Sequence, residues 1–337
     1  MPPLDSVPHC SYTVPRDSEG GAMNILPFET RVRIVASLVE GNSIRSTERL
    51  VGCNRNTAMR FAVTAGEACA HLHNAMVRDV AAALIESDEI WTYVQKKRRN
   101  VLPGDPSDVG DQYVYIGLHA TAKLIISYRV GKRDAETTQA FTDDLRARVL
   151  GKPQISTDAL ALYRNAIEAS FGPDCHFAQV EKKYETPQSP EAARRYSPGR
   201  IIREDKRIVT GEPEWRKIST SYVERQNLSM RMGMRRFTRL TNGFSKKLRN
   251  LEAAVSLYAA HYNLCRVHET VRCTPAMAAG LTDRIWSLPE LLDVALSMPP
   301  TAPPTKPEPE PIAGGPITGM SAKQAGKLSG LFRTKAA

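Results

Sequence analysis

Apolar and polar positions alternate along the chain with two periods, and the change from one to the other divides it. Over residues 28–40, Val32, Val35, Leu38 and Val39 recur at helical spacing, and Gly41-Asn42 supplies a stop. A second, short helix is expected after Ser43 as cap, ending at Val51 before a tight turn at Gly52. A third begins after Asn54, with Arg55, Asn56, Thr57 and Arg60 on its first turns. From about Ala83 the period shortens. Residues 84–94 are rich in Ile, Trp, Tyr, Thr and Val and predict a strand; 113–118 and 124–130 predict two more, joined by a turn at 119–123 into an antiparallel meander. Asp134 then caps a helix over 135–149, in which Phe141, Leu145 and Val149 share a face and Gly151-Lys152-Pro153 ends the element. A strand at 154–157, a helix at 160–171 and a strand at 176–180 complete an α/β pattern: a mixed sheet flanked by helices.

The remaining chain is less regular. Residues 181–220 are polar and punctuated by Pro and Gly, with Arg194, Arg195, Arg200 and Arg203 in the first half; this predicts a long basic loop inserted in the domain. A polar, helix-compatible segment follows at 219–231, then an amphipathic helix over 248–264 through Leu251, Ala254, Val255, Tyr258 and Tyr262. Thr274-Pro275-Ala276 opens a short helix, and 287–298 makes one more. Residues 299–316 are too proline-rich for anything but an extended linker, and 323–335 is a small basic tail. The expected organisation is a flexible tail over 1–25, a helical domain over 26–80, an α/β domain over 81–298, and a Pro-rich linker with a basic tail over 299–337.

Charge changes this picture from a fold to a partner. The 337 residues carry 46 Lys+Arg against 36 Asp+Glu, a net charge of +10, which favours a polyanion. The excess is local. Arg225, Arg231, Arg235, Arg236, Arg239, Lys246, Lys247 and Arg249 occur without one intervening acid, a bias suited to phosphate neutralisation. Helix, short helix, glycine turn, then a helix with a basic, polar start is also the pattern of a helix-turn-helix, whose last helix enters the major groove. Its candidate base-reading residues are Arg55, Asn56 and Arg60, since Arg matches guanine and Asn adenine. An ordinary three-helix packing unit with a solvated basic face fits the same pattern. Double-stranded DNA is the first candidate partner. The six cysteines form no C-x-x-C pair, and no apolar run nears the roughly 20 residues that span a bilayer, so a reduced, cytoplasmic, nucleoid-associated protein is expected.

Candidate chemistry lies in three acids. Asp88 stands in the first strand, Asp158 at the end of the fourth, and Glu224 in the segment Ser219-Thr220-Ser221-Tyr222-Val223-Glu224-Arg225, so two strands and a helix can bring them to one sheet edge. Ligands gather at the carboxyl ends of parallel strands, which suits Asp158. Carboxylate oxygens suit hard Mg²⁺ ions, and two such ions about 3.5–4 Å apart can hold both the attacking and the leaving oxygen of a phosphoryl transfer. Each acid has a plainer reading. Asp88 competes with Glu86 and Glu89, Asp158 can cap the following helix, and Glu224 can pair with Arg225 or Arg231. His261 and His268 have no second histidine at ligand spacing and are expected to be structural.

The order Asp88, Asp158, Glu224, with Asn227 and Arg231 three and seven residues after the glutamate, resembles the DDE transposases of bacterial insertion sequences. Asp88 lies in D-E-I-W as in that family, and N-G-F-S-K-K-L-R-N-L-E at 242–252 resembles the insertion-sequence-one group, although the N-terminal cysteine cluster of that group is missing here. The resemblance implies a ribonuclease H-like catalytic domain following an N-terminal helix-turn-helix, with two Mg²⁺ ions, or Mn²⁺ in their place, on Asp88, Asp158 and Glu224. It further implies DNA or scissile-phosphate contacts at Asn227 and Arg231, beside the phosphate contacts that the charge run already suggests for Arg235 and Arg236, and a homo-oligomer assembled on DNA at element ends and target. A nuclease on the same scaffold, or a DNA-binding regulator descended from a transposase, are the alternatives.

Overall fold

The computed structural model describes residues 25–185, 201–238 and 241–306. The tail expected before Ile25, the middle of the 181–220 segment, Arg239 and the basic tail at 323–335 lie outside these residues. Among the described residues six strands form one sheet: β1 (Leu84–Val94), β2 (Gly110–His119), β3 (Ile125–Gly131), β4 (Gln154–Asp158), β5 (His176–Tyr184) and β6 (Ile201–Thr210), in the order β3-β2-β1-β4-β5-β6. β1, β4 and β5 are parallel, whereas β2, β3 and β6 join by antiparallel pairing. This is the ribonuclease H-like mixed sheet flanked by helices that the pattern predicts.

Side-chain alternation puts core on both faces of the central strands, as expected for a sheet covered on each side. On one face Ile85, Tyr115, Ile155 and Phe177 pack with Phe141 and Leu145 of α4 (Ala135–Arg148) and Tyr163 and Ile167 of α5 (Leu162–Phe171). On the other, Ile90, Val114 and Ile116 meet Val223 and Met230 of α6 (Ser221–Gly233) and Leu251, Val255 and Tyr258 of α7 (Leu248–Leu264). Two capped helices follow, α8 (Pro275–Ala278) behind Thr274 and α9 (Leu288–Ser297) behind Ser287.

The N-terminal helices are α1 (Phe28–Val39), α2 (Ile44–Val51) and α3 (Arg55–Met76). Ser43 and Asn54 cap α2 and α3 with their side chains, and Gly52 ends α2 at φ 75°, a left-handed position that suits glycine. The later part of α3 belongs to the main core, where Ala65, Cys69 and Leu72 join the cluster of Ile85 and Ile155. Gly66 permits this: a Cβ there would stand 2.0 Å from the Ala253 carbonyl oxygen of α7, so the two helices touch through backbone. Arg55, Asn56 and Arg60 remain exposed at the start of α3.

One sequence expectation fails. Within the segment predicted as a basic loop, β5 runs on to Tyr184 and 201–210 forms β6, paired with β5 from Phe177↔Thr210 to Tyr184↔Ile201. The reason is position: β6 is an edge strand, mostly exposed, so Ile-Ile-Arg-Glu-Asp-Lys-Arg carries no apolar alternation to betray it. Charged residues on such an edge also discourage unwanted strand pairing.

Candidate active site

Parallel pairing of β1 with β4 ends at Ser87↔Thr157, so Asp88 and Asp158 are the next residues on neighbouring strands. The carboxylates of Asp88, Glu89 and Asp158 offer oxygen atoms that all lie within 4.8 Å of one another. Asp158 Oδ1 accepts from the Leu160 N–H at 3.1 Å, a local turn ahead of the next helix, whose own cap position is Ala161 without a side-chain bond, so Asp158 is not the helix cap that its sequence position allows.

Glu224 approaches from the first turn of α6. Its Oε1 accepts from Lys182 Nζ at 2.5 Å and from Thr220 Oγ1 at 2.7 Å, and its charge acts on both Asp88 and Asp158. The helix that carries it is pinned to β1. Glu86 Oε2 accepts from the backbone N–H groups of Tyr222 at 2.7 Å and Val223 at 3.0 Å, filling the cap position that Thr220 leaves without a side-chain bond. Glu86 and Asp88 are two apart on one strand and so face the same helix. Three residues beyond Glu224, Asn227 Nδ2 donates to Asp88 Oδ2 at 2.7 Å.

Burial and mutual repulsion weigh on these acids. Burial, with the charges of Asp158 and Glu224 nearby, pushes the Asp88 carboxyl up to about 6. Burial, Asp158 and Asp88 push Glu89 to about 8, and burial raises Asp158 against the opposing pull of Leu160 N–H and Arg133. Glu86 is pushed to about 7 by burial, against the two helix N–H groups it accepts. Arg133 Nη2 lies 3.3 Å from Glu89 Oε2 and 3.6 Å from Asp158 Oδ2, and Lys182 serves Glu224. Among the described residues, Arg133 and Lys182 are thus the cations paired with Glu89, Asp158 and Glu224. Glu89 Oε1 is buried and faces the buried Tyr163 hydroxyl, which lowers its carboxyl against the burial but forms no hydrogen bond of regular geometry with it. A surplus of carboxylate charge with an unsatisfied oxygen fits a hard divalent cation.

The structure brings Asp88 and Asp158 together and adds Glu89, which the sequence offers only as a competitor of Asp88. Glu224 faces them from α6 but is outside the tight group. Asn227, which the resemblance assigns to scissile-phosphate or DNA contact, is buried and bonds Asp88, because the i to i+3 spacing from Glu224 turns it toward β1. Arg231 lies half-buried near the end of α6. Arg235 is exposed, but Arg236 is half-buried, donates to Ser245 Oγ at 2.7 Å and is lowered to about 10 by desolvation, so its guanidinium is engaged with Ser245. Arg249 is likewise held by Glu67 of α3. Lys182 and Thr220 escape sequence reasoning because both fall in the segment predicted as loop. Neither His261 nor His268 joins the carboxylate group.

No family model and no curated protein matches the chain. Among solved structures it is similar to a piggyBac transposase synaptic complex with hairpin DNA, at 10% identity and TM-score 0.27, over 64% of this chain and 52% of that one. It is also similar to the Mos1 strand transfer complex, at 12% identity and TM-score 0.19, over 46% of this chain and 58% of that one. A mariner Mos1 paired end complex with Mg gives 11% identity and TM-score 0.17, over 48% and 61%. The chain thus spans about half to three fifths of the proteins it resembles. Likenesses this slight carry no chemistry, and they lend no support to the insertion-sequence-one group in particular. Among the described residues, no helix is long and apolar enough to cross a membrane.

Proposed function

We propose that the chain is a DDE-type DNA transposase that cuts DNA at the ends of an element and joins them to target DNA. The observation that carries this reading is the meeting of the Asp88, Glu89 and Asp158 carboxylates within 4.8 Å at the end of the β1–β4 pair, with Glu224 facing them from α6. Asp88, Asp158 and Glu224 would hold two Mg²⁺ or Mn²⁺ ions, which when bound supply Lewis-acid stabilisation of charge on a transferring phosphoryl group. The protein's own part is positioning. Asn227 fixes the rotamer of Asp88, Thr220 and Lys182 fix Glu224, and Glu86 sets the distance between helix and sheet. Cutting and joining are the same exchange at phosphorus, with water as nucleophile in the first and a 3′-hydroxyl in the second, so one site serves both. A nuclease of the same build would stop after the first exchange, and a strand-joining assay separates the two.

The experiment for the site itself is thermal unfolding with and without divalent ions. At a free concentration one hundred times the dissociation constant, Mn²⁺ or Mg²⁺ should stabilise the wild-type protein by about 2.7 kcal/mol. Asp158→Asn should lose most of that shift. Comparing Glu224→Gln with Glu89→Gln then assigns the third ligand, and an undiminished shift in Glu224→Gln would remove Glu224 from the ligand set.

DNA recognition is assigned to the exposed start of α3. Arg55→Ala or Asn56→Ala should lower the preference for element ends over random DNA by roughly 1–3 kcal/mol for each base that goes unread. Arg235→Ala should instead weaken binding to both DNAs alike, as removal of a phosphate partner does. Binding isotherms on the two DNAs decide the matter, and an unchanged preference in the α3 variants would mean that another element reads the bases.

A further inference from the structure

Beyond Asp88, β1 leaves its helical cover on one face only. Ile90, Thr92 and Val94 are buried, whereas Glu89, Trp91 and Tyr93 point to the opposite face, where the Glu89 carboxylate is buried but Trp91 and Tyr93 are half-exposed. Trp91 and Tyr93 lie 5.7 Å apart at 36°, and Phe244 adds a third ring 4.8 Å from Tyr93 at 31°. Phe244 is held there by backbone, since Gln95 N–H donates to the Ser245 carbonyl at 2.8 Å. The three rings make a shelf open to solvent beside a cleft of about 610 Å³, whose lining includes Trp91, Lys97, Arg98 and Arg99. Lys97 Nζ hovers 5.7 Å from the Trp91 ring and 5.8 Å from the Tyr93 ring.

Burial does not explain this arrangement. Three aromatic rings left partly in water forgo apolar burial. The surrounding charge is one-sided: among the described residues, no ion pair engages Lys97, Arg98 or Arg99, nor Lys246 and Lys247 next to Phe244. Asp111, the nearby acid, is committed to the Arg98 backbone N–H at 2.8 Å, which shapes the basic turn. Stacked rings flanked by unpaired cations are the chemistry that holds single-stranded nucleic acid, with bases on the rings and phosphates on the charges. Lys97, exposed and on a flexible stem, can leave the rings to a base and turn to the adjoining phosphate.

The surface is continuous with the carboxylates. Glu89 is two residues from Trp91 on the same strand face, and Arg133, which pairs with Glu89 and Asp158, lies over the ring of Tyr113, the cross-strand neighbour of Trp91. We infer that Trp91, Tyr93 and Phe244, with Lys97, Arg98 and Arg99, form a stacking platform for unpaired DNA bases, leading a single strand toward Asp88 and Asp158. The strand's use in the reaction rests on the transposase reading. Binding does not, because it needs neither metal nor cleavage.

The test uses the full chain carrying Asp88→Asn, in chelator, with a thymidine oligonucleotide of about ten residues holding one central 2-aminopurine. Stacking on the shelf should quench the 2-aminopurine beyond its level in free oligonucleotide. Trp91→Ala and Phe244→Ala should each weaken the single strand about fivefold to hundredfold, the span expected for one stacked base, while changing affinity for a duplex of equal length less than twofold. Trp91→Phe, which keeps a ring, should recover most of the affinity. Absence of quenching overturns the inference, and so does equal weakening of single strand and duplex, or no weakening in Phe244→Ala, which leaves β1 untouched. A protein that binds the strand this way but never cuts DNA would sink the transposase reading and leave the platform standing.

Discussion

Asp88→Asn or Asp158→Asn should abolish DNA cleavage and joining, with a loss of a thousandfold or more, roughly 4 kcal/mol or more of transition-state stabilisation. DNA binding should survive, since removing a negative charge beside a phosphate does not weaken its hold. The isosteric amide keeps an acceptor for Asn227 Nδ2, so the local geometry is preserved and only the charge is removed. The same substitution should make the metal-free protein more stable. The Asp88 carboxyl is held at about 6, above its ordinary value, by burial and by Asp158. A carboxyl raised in the folded state contributes most at low pH, and its contribution is lost as pH rises from the unfolded value through about 6, so at pH 7.5 the full penalty is present. Inactivity together with a higher melting temperature in chelator at pH 7.5 separates loss of a ligand from loss of fold. A fall in melting temperature with the activity would mean that Asp88 is a structural acid.

Glu86→Leu is expected to cost about 2–4 kcal/mol of stability, because it leaves the Tyr222 and Val223 N–H groups at the start of α6 without their acceptor. Cleavage should fall further than stability accounts for, about tenfold to a hundredfold, since the turn that frays is the one carrying Glu224. Glu86→Gln retains a carbonyl oxygen at the same place and should be nearly wild type in both respects. Urea unfolding and cleavage rates on the two variants check this. Equal behaviour of Leu and Gln at this position would show that charge, and not the acceptor, is what α6 requires.

Much of the sheet was legible because its strands are buried on both faces or alternate cleanly. Residues 84–94 and 248–264 are found with the bounds their patterns predict, and Asp134, Ser43 and Asn54 cap helices as their side chains allow. The edge strand β6 escaped, since a strand that faces water has little apolar periodicity to show. In the site, Asp88 could be singled out by its place in D-E-I-W of the first strand and Asp158 by its place at the end of the fourth. The contribution of Glu89 could not, because adjacent residues of a strand point to opposite faces, and only the geometry at the end of the β1–β4 pair lets both reach Asp158. Glu86 left a weaker trace, its two-residue offset from Asp88, which places both on the face that receives α6. The inward turn of Asn227 was not legible either: a polar residue at a helical offset from Glu224 points inward as readily as outward, and here it orders an acid.

The most direct measurement of the proposed activity is joining of DNA ends on a plasmid carrying the coding region with its natural flanks, incubated with the full chain and Mg²⁺. Wild-type protein should produce new junctions in which 3′ ends from the flanks are linked to target strands, and Asp88→Asn, Asp158→Asn or added chelator should each remove them. Junctions formed at an undiminished rate by Asp88→Asn, or cleaved DNA that is never joined by the wild-type protein, would contradict a transposase built on these carboxylates.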